Sequence, residues 1–162
     1  MNAPDIVSPG DFRAVLGRYA TGVTVVTTRT PEGDPVGLTV NSFTSVSLDP
    51  PLVLFCLDLE AGSLPAFEAA DGFAVNILRA GQEAVSNRFA DPEAARFTQE
   101  GVAHWTSGAP ILADALAALD CSVHARHEGG DHVILVGRVR QLAVLDDGDP
   151  LIYWRGGYRR LA

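Results

Sequence analysis

Two periodicities run along this chain, and the two-residue one dominates. From Leu119 to Arg126 the residues alternate strictly, with Leu119, Cys121, Val123 and Ala125 facing one way and polar side chains the other; this predicts a half-buried strand. A long strand is expected from His132 to Leu145, and the turn residues between the two, His127-Glu-Gly-Gly-Asp131, predict an antiparallel hairpin. Val23 to Thr28 is rich in β-branched residues, and Pro31-Glu-Gly-Asp-Pro35 separates it from a further strand over 36–41. Strands are also expected over 44–57, interrupted at Asp49-Pro50-Pro51, over 73–78 with the single polar residue Asn76, and over Leu151 to Trp154 before an aromatic, basic tail.

Helical spacing occurs only in short pieces. Phe12, Val15, Leu16 and Tyr19 follow Asp11, a suitable N-cap, and Thr21-Gly22 ends that pattern. Ser63 with Pro65 in the first turn predicts a helix to about Ala70. Gln82 to Phe89 reads as a third helix with Val85 and Phe89 inward, and Asp91-Pro92 opens a short turn to Phe97. Residues 98–117 carry breakers at Gly101, Gly108 and Pro110 and read as irregular. The fold class is therefore mainly β with a few helices, an antiparallel sheet expected to close as a barrel.

Composition narrows the function. A chain of 162 residues suits one domain, taken as 11–162 behind a flexible tail over 1–10. A net charge of −8 argues against nucleic acid and against anionic membrane surfaces, both of which recruit cations. The start of the chain lacks the basic region and apolar core of a signal peptide, and no apolar run approaches the ~20 residues of a membrane span, so a cytoplasmic location is expected. Cys56 and Cys121 each lie in an apolar run and read as buried thiols. The four histidines, His104, His124, His127 and His132, have no zinc-type spacing with them, and no metal site is expected. Phosphate-cradling glycine motifs and a Gly-x-Ser-x-Gly elbow are absent.

The chemically suggestive stretch is Gly37 to Leu57. Thr39, Asn41, Ser42, Thr44, Ser45 and Ser47 present small donors and acceptors on both faces of strand-like sequence, with no charge among them. Such a density suits the lining of a large polar ligand, and it equally suits a hairpin whose hydroxyls bond water or backbone. Three motifs, in order, resolve that ambiguity by likeness. Tyr19-Ala-Thr-Gly-Val-Thr-Val-Val-Thr-Thr28, Gly37-Leu-Thr-Val-Asn-Ser-Phe-Thr-Ser-Val-Ser-Leu-Asp-Pro-Pro-Leu-Val53 and Gly130-Asp-His132 before an apolar strand resemble the short-chain NAD(P)H:flavin oxidoreductases. These flavin reductases are the components that supply reduced flavin to two-component monooxygenases.

The resemblance covers about Phe12 to Leu161, and its implications are expectations. It implies an FMN-binding split β-barrel, Greek-key-like and homodimeric. The implied reaction is hydride transfer from NADH or NADPH to FMN or FAD, with a separate monooxygenase as partner for the reduced flavin. By resemblance Thr39, Val40, Asn41 and Ser42 line the flavin ring and ribityl chain, and Ser45, Val46 and Ser47 lie along its phosphate arm. Arg88-Phe89 at a helix end matches a phosphate-reaching position, which suits a guanidinium in an acidic chain. His132 is the candidate catalytic residue on the nicotinamide side, and Tyr158 is expected beside the same site. Flavin carries the redox chemistry itself, so the protein need only hold and orient it. The alternatives are a split-barrel protein that retains its flavin as an oxidase, and a non-enzymatic or haem-binding module of the same fold.

Overall fold

The computed structural model describes residues 6–98 and 101–162. In chain order the elements are α1 (Pro9–Leu16), β1 (Thr21–Gly22), β2 (Thr24–Arg29), β3 (Pro35–Val40), β4 (Thr44–Leu48), β5 (Pro51–Asp58), α2 (Leu64–Ala69), β6 (Gly72–Ile77), α3 (Glu83–Ala90), β7 (Val102–His104), β8 (Pro110–Leu112), β9 (Ala117–Gly129), β10 (His132–Val144), β11 (Ile152–Trp154) and β12 (Gly157–Arg159). Seven strands form one antiparallel sheet in the order β3-β2-β6-β9-β10-β5-β4. Its two edges, β3 and β4, are consecutive in sequence and joined by only Asn41, Ser42 and Phe43. A small sheet, β1-β11-β12, stands apart from it. No helix among the described residues is long and apolar enough to cross a membrane.

β2 explains the absence of alternation in Val23 to Thr28. Val26 packs into one core, with Phe55, Phe67, Phe73 and Leu135, while Val25 packs into a second, with Leu78, Phe89 and Leu151. A strand buried on both faces has no solvent side to mark. Its threonines satisfy their hydroxyls by donating to the carbonyls of Val40 (3.1 Å), Pro110 (2.6 Å) and Gly72 (2.9 Å). In the first core the Phe55 ring meets Phe67 and Phe73 edge-on, at 5.7 and 5.1 Å between centroids.

Several elements differ from the sequence expectations, each for a local reason. α1 starts at Pro9, because Ser8 is its N-cap: the Ser8 hydroxyl accepts the Asp11 N–H at 3.1 Å and donates to the Asp11 carboxylate at 2.7 Å. None of α1 is buried, and Phe12 is 57% exposed, so its apolar stripe faces outward. Ser63 sits at the N-cap of α2 without a side-chain capping bond. Residues 91–97 form turns, as expected, the first closed by the Asp91 carboxylate on the Glu93 N–H.

The stretch expected to be irregular contains β7 and β8, apart from Gln99 and Glu100, which lie outside the described residues. β8 is held by Asn76, the lone polar residue of β6. Its amide accepts the Leu112 N–H at 2.8 Å and donates to the Val25 carbonyl at 3.0 Å. The covering segment Ala109–Leu112 also buries Ala118 and Asp120 on the expected outer face of β9. Asp120 is satisfied there by the Ser107 hydroxyl and N–H. β9 runs on to Gly129, so Gly130 and Asp131 alone make the turn. The tail after Trp154 is the strand β12, and Thr21-Gly22 is the strand β1. Cys121 is buried as expected, whereas Cys56 is only half-buried, since it faces away from the core that takes Phe55 and Leu57.

Candidate functional site

A groove opens where the two sheet edges come together beside the small sheet. It has two lobes, of about 840 and 470 Å³. Asn41, Tyr153 and Gly156 line both and so mark their junction. The larger lobe lies between the end of α1, β1, the 41–44 connection and the β11–β12 hairpin. The smaller is walled by β3, by Ser86 and Asn87 of α3, and by Tyr158.

The sequence brings α3 onto β3 through a glycine. A Cβ at Gly37 would stand 2.9 Å from the Phe89 ring, so only glycine permits this approach. Thr39 then donates its hydroxyl to the Ser86 carbonyl at 2.7 Å. The Tyr158 hydroxyl hydrogen-bonds Ser86 Oγ at 2.8 Å and donates to Asn87 Oδ1 at 2.7 Å. Its ring packs edge-on to Tyr153 with centroids 5.8 Å apart. Thr39, Val40, Asn41 and Tyr158 thus come together from distant parts of the chain, as their assignment to one site requires. Ser42 lines the larger lobe, with its hydroxyl already engaged on the backbone of Cys56.

Other expected residues fall elsewhere. Ser45, Val46 and Ser47 lie on the edge strand β4, outside both lobes. The Phe89 ring, inward as its helical spacing predicted, is fully buried in the second core, edge-on to Phe97 at 5.1 Å, so its side chain does not line the groove as the cofactor-binding assignment by resemblance required. Arg88 also lies outside both linings; its Nε donates to the Arg96 carbonyl at 3.0 Å. That direction follows from the helix, because Ser86 and Asn87 take the groove-facing positions of α3.

His132 opens β10, opposite Asp58 on β5 and Gly129 on β9. Its Nδ1 is 2.7 Å from the Asp131 carboxylate, and the residue borders neither lobe. Asp131 titrates below the usual carboxylate range, mainly through this hydrogen bond and the His132 charge, with a smaller contribution from Arg13 of α1.

Groove residues not singled out by sequence reasoning are Arg13, Thr21, Asn87, Trp154 and Arg155. Thr21 Oγ1 is the buried side-chain polar atom without a partner among the described residues. The available signal for Arg155 was Trp154-Arg-Gly-Gly157, a glycine-containing turn between two aromatic positions. An orphaned hydroxyl, convergent hydroxyls and amides, aromatic walls and two guanidiniums make the groove fit for an anionic aromatic ligand of flavin or nicotinamide type. Among the described residues no cluster of three or more His, Cys, Asp or Glu could hold a metal.

Comparison with known proteins agrees with this chemistry. The family described as "Flavin reductase like domain" matches residues 16–162. A flavin reductase of Pseudomonas putida is 43% identical over 152 residues, covering 94% of this chain and 89% of the relative. An FMN reductase (NADH) of Agrobacterium fabrum is 45% identical, covering 93% of this chain and 85% of the relative. Among solved structures, an NADH:FAD oxidoreductase of Streptomyces globisporus in complex with NAD and FAD fragments superposes with a TM-score of 0.89 at 40% identity. That match covers 98% of both chains.

Proposed function

The chain belongs to the flavin reductase like family, and from that premise we propose that it is an NAD(P)H:flavin oxidoreductase that supplies reduced flavin to a separate monooxygenase in the cytoplasm. The observation that carries this reading is the two-lobed groove, which gathers Thr39, Asn41, Ser86, Asn87 and Tyr158 from three separate parts of the chain. In the reaction, nicotinamide C4 gives a hydride to flavin N5, leaving the oxidised nicotinamide and the anionic reduced flavin. No protein proton is consumed, so the residues have positioning duties.

The backbone of Thr39 and Val40 and the Asn41 amide hold the ring edge in the smaller lobe, and Ser42 continues that wall. Tyr158, fixed by Ser86 and Asn87, closes the opposite side. His132, held by Asp131, orients the nicotinamide nucleotide.

A homodimer belongs to the same reading. α1 exposes Phe12, Val15 and Leu16, and the sheet edge β4 exposes Val46 and Leu48, the last 97% exposed. Open apolar edges of this kind need a cover, and a second copy provides it. Sedimentation at micromolar concentration should give a dimer; a stable monomer that binds flavin normally would contradict it.

The activity is tested by following NADH absorbance with purified protein. Oxidation should require added FMN or FAD, because an enzyme that exports its product must bind flavin reversibly. Full-rate oxidation without added flavin would point instead to a retained cofactor, and inactivity with every flavin would end the reading.

A further inference from the structure

A second cavity, of about 530 Å³, lies where the residues before β8 meet β6, β9 and β10. Asp71, Thr106, Ser107, Asp120, Ser122 and Arg140 give it a charged and hydroxyl-bearing lining, and it shares no residue with either lobe of the groove.

Two local devices in the chain shape this cavity. The first is Gly72, at the start of β6. A Cβ there would stand 2.7 Å from the Cys121 carbonyl oxygen and 2.8 Å from the Ser107 Cβ, so glycine is what lets Ser107 approach the sheet. Ser107 then donates its N–H, at 2.9 Å, and its hydroxyl to the Asp120 carboxylate. The second is a bulge in β10. Val139 pairs with Cys121 and Gln141 with Asp120, which leaves Arg140 between them without a partner on β9. A bulge re-aims the side chain it carries. Here the Arg140 Nε–H donates to Ser122 Oγ at 2.8 Å, and the two terminal nitrogens of the guanidinium have no partner among the described residues.

The charges around the cavity are held apart. Arg140 has no described carboxylate within 4 Å, although Asp71 and Asp120 border the same space. Asp120 is 0% exposed and is bonded by the neutral donors of Ser107 alone, with no described arginine or histidine within 4 Å. A carboxylate taken out of water without a counter-ion leaves a strong negative potential beside it. Asp71 adds an exposed carboxylate to that side. Cationic and anionic groups facing one cavity, unpaired with each other, complement a ligand that carries both charges. The free guanidinium fork suits a carboxylate, and the two aspartates suit an ammonium. Apart from Gly72, the remaining lining residue is Cys121, which packs into the first core, so the walls offer little to an apolar side chain.

We propose that this cavity binds a free α-amino acid with a short polar side chain, its carboxylate on the Arg140 guanidinium and its ammonium at Asp71, within the field of Asp120. The site goes beyond the flavin reductase reading and does not rest on it.

L-Serine is the probe, titrated calorimetrically into the 162-residue chain. It should give a saturable isotherm. Acetate and methylammonium each carry one of the two charges and should bind at least tenfold more weakly, as should L-leucine for want of an apolar wall. Arg140→Gln and Asp71→Asn should each weaken L-serine tenfold or more. Both residues are exposed, so the variants should keep the wild-type melting temperature. Arg140→Lys retains the charge without the fork and should fall between Arg140→Gln and the wild type. No saturable binding of L-serine at about 10 mM would overturn the proposal. So would acetate binding as tightly as L-serine, or both charge-removing variants staying within twofold of the wild type.

Discussion

The Ser42 hydroxyl accepts the Cys56 N–H at 2.9 Å and donates to the Cys56 carbonyl at 3.3 Å, fastening the short link between the two sheet edges onto β5. One side chain therefore does what a pair of ladder bonds would do, at the point where the sheet has no ladder.

Ser42→Ala leaves the Cys56 amide without its partner. The expected loss is about 1–2 kcal/mol of stability, the ordinary cost of a partly buried donor left unpaired. A lowered urea midpoint with unchanged slope, together with faster hydrogen exchange at the Cys56 amide, would establish it. Unchanged exchange there would show that the bond contributes little.

Arg88→Ala removes the Nε donor to the Arg96 carbonyl at the 91–97 turns. The expected effect is structural, about 1 kcal/mol or somewhat more. FMN and riboflavin should weaken together, by less than about threefold, a difference well under 1 kcal/mol. A selective loss of FMN in parallel titrations would restore Arg88 as a phosphate ligand.

His132→Ala should slow reduction by NADH or raise its KM, while flavin Kd stays within about twofold, since the residue borders neither lobe. The same variant should raise the Asp131 pKa toward the ordinary carboxylate value, because the imidazole is the main cause of its depression. A depressed carboxyl favours the folded state above its unfolded pKa, and that preference disappears as acid protonates it. Asp131 is fully exposed, so carboxyl NMR titration is the measurement. Stopped-flow traces identical to the wild type would make His132 a turn residue only.

Cys56 and Cys121 should differ in reactivity. Burial, with Asp120 adjacent, pushes the Cys121 thiol up to about 12, so it stays protonated and inert at neutral pH. Cys56 is half-buried. Iodoacetamide at pH 8 followed by peptide mass spectrometry should label Cys56 alone in the native protein; rapid labelling of Cys121 would mean that the first core opens readily.

Much of the architecture was legible because it rests on local patterns. Leu119, Cys121, Val123 and Ala125 alternate, so the β9–β10 hairpin could be read directly, and its glycine turn needed no tertiary information. β8 could not be read that way. Pro110-Ile-Leu112 is three residues long, and its place depends on Asn76, 36 residues earlier, accepting one N–H. The site divided along the same line. Thr39 and Val40 end β3, Asn41 begins the link that follows, and the groove brings them beside Tyr158, which the resemblance had set next to His132. Arg88 and Phe89 are neighbours on a helix, where consecutive residues point about 100° apart, so a motif alone could not say which faces the groove. Ser86 and Asn87 do. Arg155 was hidden in a different way: the ending read as an aromatic, basic tail with no strand, and the pairing of β12 with β11 depends on a turn of unusual residue choice.

The manner in which α1 is attached has an evolutionary consequence. The wall it gives to the larger lobe hangs on two main-chain carbonyls, those of Gly17 and Arg18, and on no buried side chain. Carbonyl acceptors are the same for every amino acid. Residues 9–16 can therefore change identity without disturbing the sheet, and ligand preference in that lobe can drift or be re-engineered separately from folding.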